Sequence, residues 1–191
     1  MAKQGQCIGV APPDQSRLAQ RLDRSVVLVG LMGAGKSCVG RRLAAGLGLE
    51  FIDSDAEFEA AAGCSISDYF ARYGESAFRD GERKVISRLL EGAPCVLATG
   101  GGAFIDPETR GRIKAKAVSV WISADLELLV RRTAGRDHRP LLRTGDPRRI
   151  LAGLMAVRYP IYAEADITVQ STDEPPEATV ARICQELETR L

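Results

Sequence analysis

Eight residues near the start of the chain, Gly30-Leu31-Met32-Gly33-Ala34-Gly35-Lys36-Ser37, have the types and spacing needed to hold a polyphosphate. Gly30, Gly33 and Gly35 allow a tight turn that brings backbone N–H groups against phosphate oxygens, where side chains would collide. Lys36 adds a full charge at the β- and γ-phosphates, and the Ser37 hydroxyl suits the magnesium ion that travels with a nucleotide. Gly33, Ala34, Gly35, Lys36, Ser37 and Cys38 are therefore the candidate nucleotide-binding residues. A plain strand-to-helix turn is the alternative, but the aliphatic run Val26–Val29 before the loop and the amphipathic run Val39–Leu49 after it supply the context a P-loop requires.

Asp53 and Asp55 follow on the segment Leu49-Glu50-Phe51-Ile52-Asp53-Ser54-Asp55, read as a short strand ending at Asp53. Ligand groups in open α/β sheets gather at the carboxyl ends of strands, so a carboxylate pair there is placed for chemistry. The alternative is that Ser54 or Asp55 merely caps a helix starting near Ala56. The later strand Pro94–Thr99 ends in Gly100-Gly101-Gly102 instead of the aspartate that often accompanies a P-loop. That leaves Asp53, with Ser37, as the candidate metal ligands for Mg2+. Three glycines in a row permit a ligand to approach the backbone closely, or simply make a flexible turn.

Thr133–Arg149 interrupts the regular pattern with Gly135, Pro140, Gly145 and Pro147, and Arg131, Arg132, Arg136, Arg139, Arg143 and Arg148 flank or occupy it. A long basic loop in a nucleotide-binding domain reads as a lid over the phosphates, one that expels water and offers an arginine to the transition state. His138 within it is a packing or solvent residue. Arg79, alone on a helix, would ordinarily be a solvated charge.

These groups need a scaffold, and the alternation of elements supplies one. Buried strands are expected at Val26–Val29, around Phe51–Asp53, at Pro94–Thr99, Ala117–Ile122 and Ile167–Val169. Helices are expected over Glu57–Ala62, over Ile66–Tyr73 with Ser65 as cap, from Gly74 to Leu90, from Pro107 with Asp106 as cap, over Asp125–Arg132, from Arg148 to Ala163, and from Glu174 onward. No strand separates residues 56–91, which makes a small helical lobe over the sheet. Residues 1–24 read as an N-terminal extension, with a short helix over Asp14–Leu22 that places Leu18 and Leu22 on one face and docks weakly. The main domain is then 25–191, with a lobe at about 54–91 and a lid at about 133–149.

At 191 residues, 45% hydrophobic and 27% charged, the chain suits one soluble domain. A net charge of +1 gives no footing for a nucleic-acid or membrane partner. The five scattered cysteines, Cys7, Cys38, Cys64, Cys95 and Cys184, and the single histidine argue against a zinc site and for reduced thiols in the cytoplasm. Nothing resembles a membrane span or a signal peptide.

The order of Gly-Leu-Met-Gly-Ala-Gly-Lys-Ser, Asp53-Ser54-Asp55, Phe78-Arg79-Asp80-Gly81-Glu82, Gly100-Gly101-Gly102, Arg139-Pro140-Leu141-Leu142 and Arg158 with Pro160, Tyr162 and Glu164-Ala165-Asp166 resembles the shikimate kinase family over about residues 25–190. The resemblance implies an α/β fold of the P-loop nucleoside-monophosphate-kinase type, a three-layer sandwich with a five-stranded parallel sheet, a helical substrate lobe and a mobile lid. It implies transfer of the γ-phosphoryl of ATP to the 3-hydroxyl of shikimate, with ATP and shikimate as small-molecule partners to a monomer. By the family pattern Asp55 contacts the shikimate hydroxyls, Arg79 and Arg158 bind its carboxylate, and Gly101 donates its backbone N–H. Arg139 reaches the ATP phosphates and Arg132 stacks near adenine. Lys36, Asp55 and Arg139 are the implied catalytic residues.

Two positions depart from the pattern. Cys38 stands where threonine is common, and Ser171-Thr172-Asp173-Glu174-Pro175 lacks an arginine that some members place by the adenine. A gluconate kinase of the same fold and a non-catalytic ATP-binding module are the alternative readings. Phe78-Arg79 with Glu82 and the triple glycine favour shikimate over the first; Lys36, Ser37, Asp53, Asp55 and Arg139 weigh against the second.

Overall fold

The structure, a computed structural model, describes residues 15–134 and 145–190. The expectations for Arg139 and the lid over 135–144, and for Cys7, lie outside these residues.

Strand β1 (Ser25–Val29) is buried along its whole length, as four consecutive aliphatic residues covered on both faces require. It pairs in parallel with β3 (Cys95–Ala98) on one side and β4 (Ala117–Ala124) on the other. β2 (Glu50–Asp53) lies outside β3, and β5 (Ile167–Ser171) lies outside β4, giving the all-parallel order β2-β3-β1-β4-β5. The chain leaves β1 toward one edge and leaves β3 toward the other. Such a reversal opens a crevice at the carboxyl ends of the central strands, where the P-loop, the aspartates and the three glycines emerge.

Helices cover both faces. α2 (Lys36–Leu47) turns Val39, Leu43, Ala44 and Leu47 into the core, and α8 (Pro176–Arg190) contributes Val180, Ile183, Cys184 and Leu187. The N-terminal helix α1 (Gln15–Arg21) docks more firmly than its short pattern suggests. Leu18 and the following Leu22 are both buried in the main core, and α1 packs on α2 and α8.

The lobe consists of α3 (Ser54–Ala62) and α4 (Ile66–Leu90). Helix α3 begins at Ser54, two residues earlier than expected, because its cap is Asp53, whose side chain accepts the Asp55 N–H. Ser65 caps α4 as expected, and Gly74 interrupts it at φ 78°, ψ 176°, so that two helical pieces meet at a kink. Phe58, Phe78 and Val85 form a separate small core there, with Phe58 edge-on to both Tyr69 and Phe78 at 4.9 Å.

Beyond β3, a 3-10 turn over Ala103–Ile105 leads into α5 (Pro107–Lys116), capped by Asp106. α6 (Leu126–Thr133) follows β4, and α7 (Pro147–Tyr162) packs on the 3-10 turn. β4 and β5 each run two residues past their expected ends, held by register with their neighbours. α7 starts one residue early, at Pro147, and α8 two residues late, at Pro176. No helix among the described residues is long and apolar enough to cross a membrane.

Candidate active site

Gly30, Gly33 and Gly35 all take positive φ (138°, 84° and 101°), a path that L side chains resist and that wraps the loop into a cradle. Gly35 then caps α2, and Lys36 and Ser37 form its first turn. The Lys36 ammonium folds back over the cradle, donating to the carbonyls of Gly30 at 2.8 Å and Leu31 at 3.0 Å. Ser37 Oγ donates to Asp53 Oδ2 at 3.0 Å, linking the P-loop helix to the end of β2. The other oxygen of the same carboxylate, Oδ1, accepts the Asp55 N–H at 3.1 Å. Asp53 is thus both a helix cap and a neighbour of the hydroxyl with which sequence paired it. Cys38 is exposed, and its sulfur accepts from Arg42 Nη1 at 3.1 Å.

Asp55 turns toward the glycine loop. A Cβ added to Gly100 would lie 2.7 Å from Asp55 Oδ1 and 3.1 Å from Glu82 Oε1. Burial, followed by the negative charges of Asp53 and Glu82, pushes the Asp55 carboxyl up to about 6, with Lys36 opposing. Glu82 is itself buried, which raises its carboxyl, while Arg79 pulls it back down. The pair is direct: Arg79 Nη1 donates to Glu82 Oε2 at 2.7 Å.

The second arginine arrives from a distant part of the chain. Arg158, on α7, donates from Nη1 to the Gly101 carbonyl at 3.0 Å. A Cβ at Gly101 would lie 3.4 Å from that nitrogen, and one at Gly102 only 2.5 Å from Arg79 Nη1. Two guanidinium groups from distant segments therefore sit over neighbouring glycines, whose Cα atoms are about 3.8 Å apart across a trans peptide. This is why the loop carries no side chains. The peptide that bears the Gly101 N–H is held on its opposite side, where the Ala103 N–H donates to the Gly100 carbonyl at 3.1 Å.

Arg132, on α6, lies beside the P-loop: its Nη1 reaches the Ala34 carbonyl at 3.5 Å and Ser171 Oγ at 2.9 Å, and its Nη2 reaches the Thr172 carbonyl at 2.7 Å. The segment after β5 that lacks an arginine of its own thus anchors this one. Lys36, Ser37, Asp53, Asp55, Arg79, Gly101 and Arg158 come together at one end of the sheet, with Arg132 at the outer side of the P-loop. Sequence reasoning quoted Glu82 and Tyr162 without giving either a role. Their spacing carried a signal, since Glu82 stands three residues after Arg79 and Tyr162 four after Arg158, each pair on one helix face. A groove of about 610 Å³ between α4 and α5, lined by Arg83, Lys84, Arg88 and Arg112 among others, shares no residue with this site.

A phosphate cradle, a hydroxyl–carboxylate pair beside it and a double guanidinium station farther along the sheet define a P-loop kinase of small molecules. Known proteins narrow the class. The family profile described as Shikimate kinase matches residues 32–188. A shikimate kinase of Paramagnetospirillum magneticum is 74% identical over 174 residues, covering 91% of this chain and 89% of that one. The solved shikimate kinase from Acinetobacter baumannii in complex with shikimate superposes with a TM-score of 0.86 at 35% identity, covering 90% of this chain and 98% of that one. A gluconokinase from Sinorhizobium meliloti shares the fold alone, at TM-score 0.53 and 20% identity over 88% of this chain and 97% of that one. The chain belongs to the shikimate kinase family.

Proposed function

We propose that this chain transfers the γ-phosphoryl group of ATP to the 3-hydroxyl of shikimate, giving shikimate 3-phosphate and ADP for aromatic amino-acid synthesis. The observation that carries the acceptor is the pair Arg79 and Arg158 over adjacent glycines, two planar forks of the kind that grip a carboxylate. Asp55, turned toward the glycine loop, accepts a hydrogen bond from the attacking hydroxyl and sets its direction; the Gly101 N–H adds a donor to the substrate. Lys36 leaves its own loop carbonyls for the phosphates and stabilises the charge that builds on the transferring group.

Gly33, Ala34, Gly35, Lys36, Ser37 and Cys38 wrap the phosphate chain in this reading. Arg132 borders the nucleotide, and Arg139 reaches the phosphates from the lid. Ser37 Oγ and Asp53 Oδ2, two hard oxygens 3.0 Å apart beside the cradle, fit a magnesium ion. When bound, that ion neutralises phosphate charge. The protein works as a monomer in the cytoplasm: its large exposed hydrophobics among the described residues, Tyr73 and Val157, sit on different helices, and Cys38, Cys64 and Cys95 carry free thiols.

ADP release measured across shikimate, gluconate and other polyol acids tests the assignment. Turnover is expected with shikimate alone. A preference for gluconate, or ADP release that no acid stimulates, would overturn it.

A further inference from the structure

Tyr162 closes α7 and is wholly buried, an unusual place for a hydroxyl with no role. Its ring lies against Trp121, with centroids 6.0 Å apart, and against Tyr159, at 6.3 Å. Tyr159 in turn ties the same helix to β4, its hydroxyl donating to the Ala124 carbonyl at 2.6 Å. The Tyr162 hydroxyl has one acceptor, the carbonyl of Gly101, the same oxygen that Arg158 Nη1 occupies at 3.0 Å. A carbonyl has two lone pairs, and here each is taken by a donor from α7, one neutral and one charged.

The two donors differ in what they are free to do. Arg158 carries five N–H donors in a rigid fork and is the group expected to meet an incoming carboxylate. Tyr162 lies between two rings and beside Arg158, and its hydroxyl donates to the Gly101 carbonyl. The carbonyl they share belongs to the peptide leading into Gly102, the residue over which Arg79 packs. A displacement of that peptide moves the resting place of both guanidinium groups. Burial keeps the phenol protonated, its pKa pushed up to about 12, so the donor is present throughout the assay range.

Building on the reading of the site as a shikimate station, we propose that Tyr162 is a positioning residue for the acceptor substrate: its hydroxyl fixes the Gly101 carbonyl so that the glycine loop stays in register with Arg79 and Arg158 when Arg158 re-aims toward the bound carboxylate. Tyr162 touches neither substrate nor nucleotide. It acts through the loop.

Tyr162→Phe tests this, because it removes one oxygen and keeps the ring stack. Steady-state kinetics varying shikimate at saturating ATP, then ATP at saturating shikimate, should show a shikimate KM raised about five- to twentyfold, as loss of one hydrogen bond implies. The ATP KM should stay within about twofold and kcat within about threefold. A Tyr162→Phe protein with unchanged shikimate KM overturns the proposal. So does one in which both KM values rise together with a fall in Tm, the signature of general loosening. Should Tyr162→Phe not fold, p-aminophenylalanine at position 162 retains a weaker donor of similar size and should give a smaller rise in shikimate KM alone; a rise in the ATP KM alongside it sinks the idea equally. Failure of the parent assignment looks different, since the unmodified protein would then show no shikimate-dependent ADP release.

Discussion

Ser37 Oγ and Asp53 Oδ2 lie 3.0 Å apart, so the first turn of the P-loop helix and the end of an edge strand share one hydrogen bond at the mouth of the phosphate cradle. The two residues stand sixteen apart in sequence, Ser37 on the helix that follows β1 and Asp53 at the end of β2, two strands separated in the sheet by β3. Asp53 also caps α3 through Asp55 N, which gives a way to separate its two duties. Asparagine caps a helix about as well as aspartate but lacks the charge. Asp53→Asn should therefore leave Tm nearly unchanged and raise the magnesium concentration needed for turnover by about ten- to a hundredfold. A fall in Tm with the magnesium requirement intact would show that the residue is only a cap.

Lys36→Ala should abolish turnover in a folded protein. The lysine lies at the surface of the cradle, bonded to the Gly30 and Leu31 carbonyls of its own loop, so its removal leaves the core untouched. The charge it brings to the transferring phosphoryl is worth on the order of several kcal/mol in the transition state. Circular dichroism together with kcat decides; a folded variant with near-normal kcat removes phosphoryl transfer from consideration.

Arg79→Lys should raise the shikimate KM roughly ten- to a hundredfold, the loss of a charge-assisted hydrogen bond of about 1.5–3 kcal/mol, with little change for ATP. Gly102→Ala should produce the same pattern from the other partner. Its backbone, at φ −95°, accepts alanine without strain, so the new Cβ acts only by pushing on Arg79, which Glu82 holds in place. An unchanged shikimate KM in both variants removes the carboxylate clamp.

Asp55 yields a prediction about stability. Its carboxyl is raised to about 6 in the folded chain from an ordinary value of 3.8. A raised carboxyl favours folding while it stays protonated; that contribution is whole below about pH 3.8 and is lost as pH rises through about 6. Asp55→Asn escapes the loss. In the absence of nucleotide and metal, its Tm should exceed that of the unmodified protein by roughly a few degrees at pH 8, and the gap should close below pH 4. Its kcat should fall steeply at pH 8, since a neutral amide replaces the charged acceptor of the hydroxyl. A variant less stable at pH 8 would contradict the burial of this carboxylate and the negative charge around it.

The order and type of the elements were legible because each carries a strong local signal: an aliphatic run for β1, Ser65 and Asp106 at helix starts, Gly74 at a break. The P-loop was legible for the same reason, since its chemistry is confined to eight consecutive residues. Arg158 over Gly101 was not readable from spacing alone. Fifty-seven residues separate them, and only the packing of α7 on the turn after β3 brings them together. Glu82 received no role because burial of a glutamate on a helix shows only once the lobe folds it against Gly100. The cap at Asp53 went unseen because an aspartate beside a P-loop reads first as a ligand, and one carboxylate has two oxygens to spend.

The chain has a single tryptophan, and its position gives the protein a built-in spectroscopic probe. Trp121 pairs in register with Val29, the residue before the P-loop, and its ring edge would lie 3.5 Å from a Cβ on Gly30. Its face meets Tyr159 edge-on at 4.9 Å, one residue beyond Arg158. Its buried Nε1 is the one enclosed side-chain nitrogen or oxygen among the described residues with no hydrogen-bond partner. An indole with an unsatisfied N–H emits according to the dipoles that turn toward it, and this one borders both halves of the site. Occupancy of the cradle or of the arginine station should therefore register as a change in the emission of this indole, in unlabelled protein and without coupling enzymes.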